Sequence, residues 1–118
     1  MKKAVFLSII TMSIFSGLFG KKEDQVVFKF SSPKNEACFT CTHVMKEKKP
    51  ILYVSHDEDD GGWQFLCGAE NHEDKDAMIV SLLNIVERDP SVNALYEMPE
   101  GVCAERSDQN GEWKAFKK

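Results

Sequence analysis

A chain of 118 residues, 42% hydrophobic and 29% charged, can build one hydrophobic core but not two, so a single domain is expected. From Lys21 onward it carries 13 basic against 19 acidic residues, a net charge of −6. Nucleic-acid affinity comes largely from Lys and Arg displacing counterions, so this balance argues against DNA or RNA and makes a basic protein the natural complement.

Residues 1–20 stand apart. Lys2 and Lys3 precede an apolar and small-polar run from Ala4 to Gly20, and Lys21 and Lys22 follow at once. A positive start before an apolar stretch is how secretory signals begin, but no A-x-A-like site closes this one. The run also falls short of the roughly 20 residues of a spanning helix. It reads as a weak signal, a short membrane anchor, or an overcalled start upstream of Met12. The expectation is a cytoplasmic domain over 21–118, tethered if the segment is retained and touching membrane only through residues 1–20, with periplasmic export as the alternative.

Residues 21–25 are a charged linker. Val26, Phe28 and Phe30 then alternate with Val27 and Lys29, predicting a first strand with that side toward a core. Pro33 and Asn35 mark a loop over 31–37. In the next stretch CFTCTHV favours strand and HVMKEKK favours helix; the expectation is a short helix from near Thr40, stopped by Pro50.

Residues 51–55 and 63–67 are two short runs of β-branched and aromatic residues. Between them lie Asp57, Glu58, Asp59, Asp60 and two glycines, which predicts a β-hairpin with a charged tip facing water. Gly61 and Gly62 can supply the positive φ a tight return needs. Trp63 opens the second strand, either as a core anchor or as the apolar centre of a binding patch. Residues 68–76 form a second acidic loop carrying Glu70, Glu73, Asp74 and Asp76.

From Ser81 the period changes. Leu82, Ile85 and Val86 share a helical face, with Glu87 and Arg88 solvated at its end. Asp89 before Pro90 is an N-cap and first-turn pair, so a second helix should run through Val92, Leu95 and Tyr96 until Pro99. Gly101 turns the chain, and residues 102–106 and 112–116 flank an Asn-Gly pair that predicts another hairpin. Together these elements describe an α+β fold, a small antiparallel sheet of about five strands with two or three short helices packed on one face.

Four cysteines need an account. Cys38 and Cys41 form C-x-x-C, and Cys67 and Cys103 could complete a tetrahedral zinc site with them; a thiol-redox use of the Cys38/Cys41 pair is the related alternative. Neither pattern is complete, because Cys67 and Cys103 stand alone and His43, His56 and His72 follow no regular ligand spacing. The primary expectation is therefore no metal and no cofactor, with the thiols reduced and packed as small hydrophobes, and disulfides only if the chain is exported. An EF-hand reading of the acid tip fails because Gly68 stands where a bidentate Glu is required. A Cys-His nucleophile from Cys38 with His43 or His56 lacks any supporting motif, so no catalytic residue is assigned. Arg106 is expected to pair locally with an acid.

The stretch DDGGWQFLCGAE, then SLLNIVERDP, then MPEGVCAER and a terminal EW, resembles the bacterial family once called domain of unknown function 2185 and since grouped as immunity protein 33-like. The resemblance runs from about Cys38 to Phe116. It rests on Asp60, Gly62, Trp63, Phe65, Gly68 and Glu70 in one block and Pro99, Gly101, Glu105 and Arg106 in the other. The C-x-x-C pair and the leader lie outside the family's core pattern. The resemblance implies an α+β domain without enzymatic activity that neutralises a cognate bacterial toxin.

The residues themselves suggest how. The tip at 57–60 and the loop at 70–76 lie at opposite ends of one strand, about 16 Å apart at strand rise. Asp57, Glu58, Asp59, Asp60, Trp63 and Glu70 are the candidate partner-binding set, an acidic face with an aromatic centre suited to a basic toxin domain. The plainer alternative is two solvated loops on a housekeeping domain.

Overall fold

The computed structural model describes residues 26–70 and 72–118. The leader at 1–20 and the linker at 21–25 lie outside the described residues. Among those described, no helix is long and apolar enough to cross a membrane.

The α+β expectation holds. The chain runs through β1 (Ala37–Cys41), the single-turn helix α1 (Thr42–Met45), β2 (Tyr53–His56), β3 (Trp63–Leu66), β4 (Ala77–Ser81), α2 (Leu82–Arg88), β5 (Val102–Glu105) and β6 (Lys114–Lys117). Two 3-10 segments, Asp74–Asp76 and Pro90–Leu95, precede β4 and follow α2. The six strands form one open sheet in the order β4-β1-β3-β2-β5-β6. β1 and β3 are parallel and the other pairs antiparallel, so the sheet is mixed.

The central hairpin forms as expected, pairing Tyr53 with Leu66 and His56 with Trp63. Asp57 N–H donates to the Gly62 carbonyl at 2.8 Å and Gly61 N–H to the Asp57 carbonyl at 2.9 Å, closing the tip. Gly61 alone of the two glycines takes a positive φ, +72°. A side chain there would be strained and would also meet the Glu100 carboxylate 3.0 Å from its Cβ.

Residues 26–30 do not join the sheet. Their alternation is real, since Phe30 is buried and Val27 exposed, but among the described residues no strand pairs with them. The side chain of Asn93 takes that role: its Oδ1 accepts from Lys29 N–H at 2.9 Å and its Nδ2 donates to the Val27 carbonyl at 2.9 Å. β1 runs on through Cys41, so the helix expected from Thr40 begins two residues later and lasts one turn.

α2 buries Leu82, Ile85 and Val86, the face its periodicity predicts. Ser81 Oγ caps its start by accepting from Asn84 N–H at 3.0 Å. Arg88 is not merely solvated; its guanidinium donates to the carbonyls of Val44 at 3.0 Å and Lys49 at 3.2 Å, tying α2 to the end of α1. The Asp89-Pro90 start also forms, with Asp89 accepting from Ser91 N–H, although the segment it opens is 3-10 and not α.

The core lies on one side of the sheet. Val54, Phe65, Trp63 and Ala104 point there, against Phe30, Val44, Leu82, Ile85, Val86 and Val92 from the covering segments. Each fully buried aliphatic or aromatic side chain of this kind contributes about 1.5–3 kcal/mol of burial free energy. The consequence is a sheet with one face sheathed by helices and the other left to define the surface.

Candidate functional site

Strand alternation and register assign the uncovered face residue by residue. Phe39 pairs with Ile79 on one side and Gln64 on the other, Gln64 with Ser55, Ser55 with Cys103, and Cys103 with Phe116. These six positions form one row across all six strands. Toward β6, Phe116, itself 42% exposed, stacks on Tyr53 with ring centroids 6.5 Å apart and roofs Ser55 and Cys103, which are buried beneath. Toward β4 it is open, with Phe39 48% and Ile79 64% exposed side by side.

Carboxylates border this open end on two sides. Phe39 and Gln64 line one depression together with Asp57, Glu58, Asp59, Asp60 and one cation, Lys118. They also line a second, beyond the far end of β3, with His72, Glu73 and Asp76. Both depressions therefore share their floor.

The four tip acids are not equivalent. Glu58, Asp59 and Asp60 are exposed, whereas Asp57 turns inward over the sheet. Its carboxylate accepts from Ser55 Oγ at 2.6 Å, Gln64 Nε2 at 2.8 Å and Lys118 Nζ at 2.9 Å. Burial works to raise its pKa, but these three donors outweigh it and hold the carboxyl below its usual range. The same contact pushes the Lys118 ammonium up.

Trp63, expected in the partner-binding set, is corrected by its position. It is 2% exposed, stacked between His56 at 3.9 Å and Phe65 at 5.8 Å and met edge-on by Phe30 at 5.0 Å. Trp63 and Phe65 occupy alternate positions of one strand whose inner face meets the helices, so the ring anchors the core. Glu70 is exposed at the opposite end of β3 from the tip and lines neither depression; Glu73 and Asp76 of the same loop do. The aromatic that does stand exposed between the carboxylates is Phe39. Its signal was present in the alternation of Cys38, Phe39 and Thr40, but there the aromatic faces out and the threonine in, where Thr40 Oγ1 donates to the Phe65 carbonyl at 2.6 Å.

The cysteine set Cys38, Cys41, Cys67 and Cys103 does not assemble. A C-x-x-C pair presents both sulfurs together on a turn, but on a strand positions three apart face opposite ways. Cys38 points to the core side, where its thiol donates to the Glu36 carbonyl at 3.7 Å; burial, aided by the Glu36 charge, pushes its pKa up to about 12. Cys38 and Cys41 therefore do not present their sulfurs as a pair. Cys103 lies under the β6 roof beside the Tyr53 hydroxyl at 3.2 Å. Cys41 and Cys67 do come together, and the residues that join them are His43 and His72. The overlooked signal was two short Cys–His pairs, C-x-H at 41–43 and C-x4-H at 67–72.

These features define a small α+β domain whose distinctive surface chemistry sits on the open face of its sheet, between two acidic borders. The chain belongs to the immunity protein Imm33 family, whose domain matches residues 38–117. It is in general terms an immunity-type protein, a class that works through a protein partner. No curated protein and no solved structure matches the chain.

Proposed function

We propose that this protein neutralises a cognate toxin by covering it with the open end of the sheet, and that it does so by occupancy without making or breaking a covalent bond. The observation that carries the reading is the exposure of Phe39 and Ile79 as cross-strand partners within a face bordered by carboxylates. Two adjacent large apolar side chains in water are a contact waiting for a complementary surface, and such anchors dominate binding energy when a partner dries them. Glu58, Asp59 and Asp60 on one border and Glu73 and Asp76 on the other favour a partner with Lys or Arg around an apolar centre, and they steer its approach.

The partner residues on this reading are Phe39, Ile79, Glu58, Asp59, Asp60, Glu73 and Asp76. Asp57 shapes the face through Lys118 and contributes little free charge, and Glu70 lies outside it. Co-expression with a neighbouring toxin gene tests the proposal. The wild-type chain should restore growth and Phe39→Asp/Ile79→Asp should not, with both forms equally abundant; full protection by the double variant rejects this face.

A further inference from the structure

We propose that Cys41, His43, Cys67 and His72 form a binding site for a borderline-soft divalent transition ion, zinc foremost. One donor atom from each lies within 4.8 Å of every other. Cys67 Sγ is already 3.2 Å from His72 Nε2, and the two imidazoles stack with centroids 4.9 Å apart and planes 23° from parallel. With zinc bonds of about 2.3 Å to sulfur and 2.0–2.1 Å to nitrogen, the edges of a tetrahedron run from about 3.4 Å between nitrogens to about 3.8 Å between sulfurs. From the 4.8 Å limit the four atoms need to close by no more than about 1.0–1.4 Å to meet those figures.

A second observation points to an ion independently of the distances. His43 Nδ1 is shut off from water and has no hydrogen-bond partner. An unsatisfied buried polar atom of this kind is destabilising, and coordination through Nδ1 would remove the deficit. Two thiolates with two imidazoles are a donor set that suits zinc, and hard cations such as calcium and magnesium prefer all-oxygen sites.

The fold explains how four separated residues meet. Cys41 ends β1 on the uncovered face, yet it is 2% exposed. Cys67 follows the last residue of the parallel neighbour β3, and the loop beyond brings His72 back over the end of β1. His43 enters from the first turn of α1. Four protein donors leave no open coordination position, which makes the site structural and not hydrolytic. An ion held there pins the β3–β4 loop to β1, and that loop carries Glu73 and Asp76 along the second border of the sheet face.

Metal uptake by the full-length protein, purified under reducing conditions and stripped with chelator, tests the site without reference to any toxin. Zinc should bind one per chain and raise the thermal midpoint. Cobalt in its place should show the intense visible absorption of tetrahedral coordination together with a thiolate-to-metal band, a readout that needs no variant. Cys67→Ser/His72→Ala should weaken binding by at least the roughly 100-fold that loss of a mere outer-shell partner can cost, while Cys38→Ala leaves it unchanged. Less than half an equivalent of zinc on reduced wild-type protein overturns the proposal. So does uptake that survives Cys67→Ser/His72→Ala, which places the ion elsewhere, or a Cys41–Cys67 disulfide whose reduction restores no zinc binding.

Discussion

Arg106 and Asp89 meet 2.9 Å apart with side chains only 2% and 3% exposed, and this ion pair joins the end of β5 to the turn after α2. The guanidinium also donates to the Ile51 carbonyl at 2.9 Å and to Ser91 Oγ at 3.0 Å, and it lies 4.2 Å from the centre of the Trp113 ring. One side chain thus ties the end of β5 to three other places in the chain, around Ile51, around Asp89 and at Trp113. The expectation of an acid partner for Arg106 is met, though the acid is 17 residues away and not local.

Removing one member strands the other in the interior. Asp89→Ala should therefore destabilise the fold by about 3–5 kcal/mol in urea unfolding, and Arg106→Ala by a similar amount. Arg106→Lys should recover little, because an ammonium reproduces neither the fork nor the stacking on Trp113. The double change Asp89→Leu/Arg106→Leu should cost less than either single alanine variant. Additive losses in the double variant would show that the pair is not coupled in this way.

Asp57 supplies a pH signature. Its folded pKa lies below the unfolded value of about 3.9, so its contribution is fully present above that pH and is lost as pH falls through the lower folded value. The stability gap between wild type and Asp57→Asn should be constant near neutrality and shrink from about pH 4 downward. Urea midpoints of both proteins across that range provide the check. A gap that stays constant into strong acid would mean that Ser55, Gln64 and Lys118 do not hold the carboxylate as described.

Trp63 separates core from contact. Trp63→Ala should cost about 3–5 kcal/mol in folding, as expected for emptying a packed aromatic site. At a temperature where the variant remains folded, its affinity for the partner should match wild type. A stable Trp63→Ala that no longer binds would return the indole to the interface.

What could be read from residues alone divides along physical lines. The central hairpin, the Leu82, Ile85 and Val86 face, the Asp89-Pro90 start and the final hairpin were all legible, because each is specified by neighbours within a few positions. β4 was not, since AMIVS lacks alternation and runs straight from an acidic turn into a helix cap. The parallel pairing of β1 with β3 is non-local and leaves no mark on either segment. The Cys–His cluster shares that difficulty: Cys41 and Cys67 are brought together only by that pairing, while the C-x-x-C spacing drew attention to Cys38 on the wrong face. Residues 26–30 show the converse. Their alternation correctly placed Phe30 inward, but periodicity reports which side is buried and not whether a neighbouring strand exists.

The surface proposal makes two separable predictions, one for affinity and one for rate. Phe39→Asp or Ile79→Asp alters a partly exposed strand side chain, so folding stability should fall by about 1 kcal/mol, while binding loses about a further 1–2 kcal/mol, or roughly 5–30-fold in Kd. Changing Glu58, Asp59 and Asp60 together to Lys should act differently. Association should slow, dissociation should change little, and the salt dependence of the on-rate should flatten or invert. Measuring both rates against the toxin at two ionic strengths distinguishes the roles. If the lysine variant associates as fast as wild type at low salt, the acidic border plays no part in recognition even where the apolar pair does.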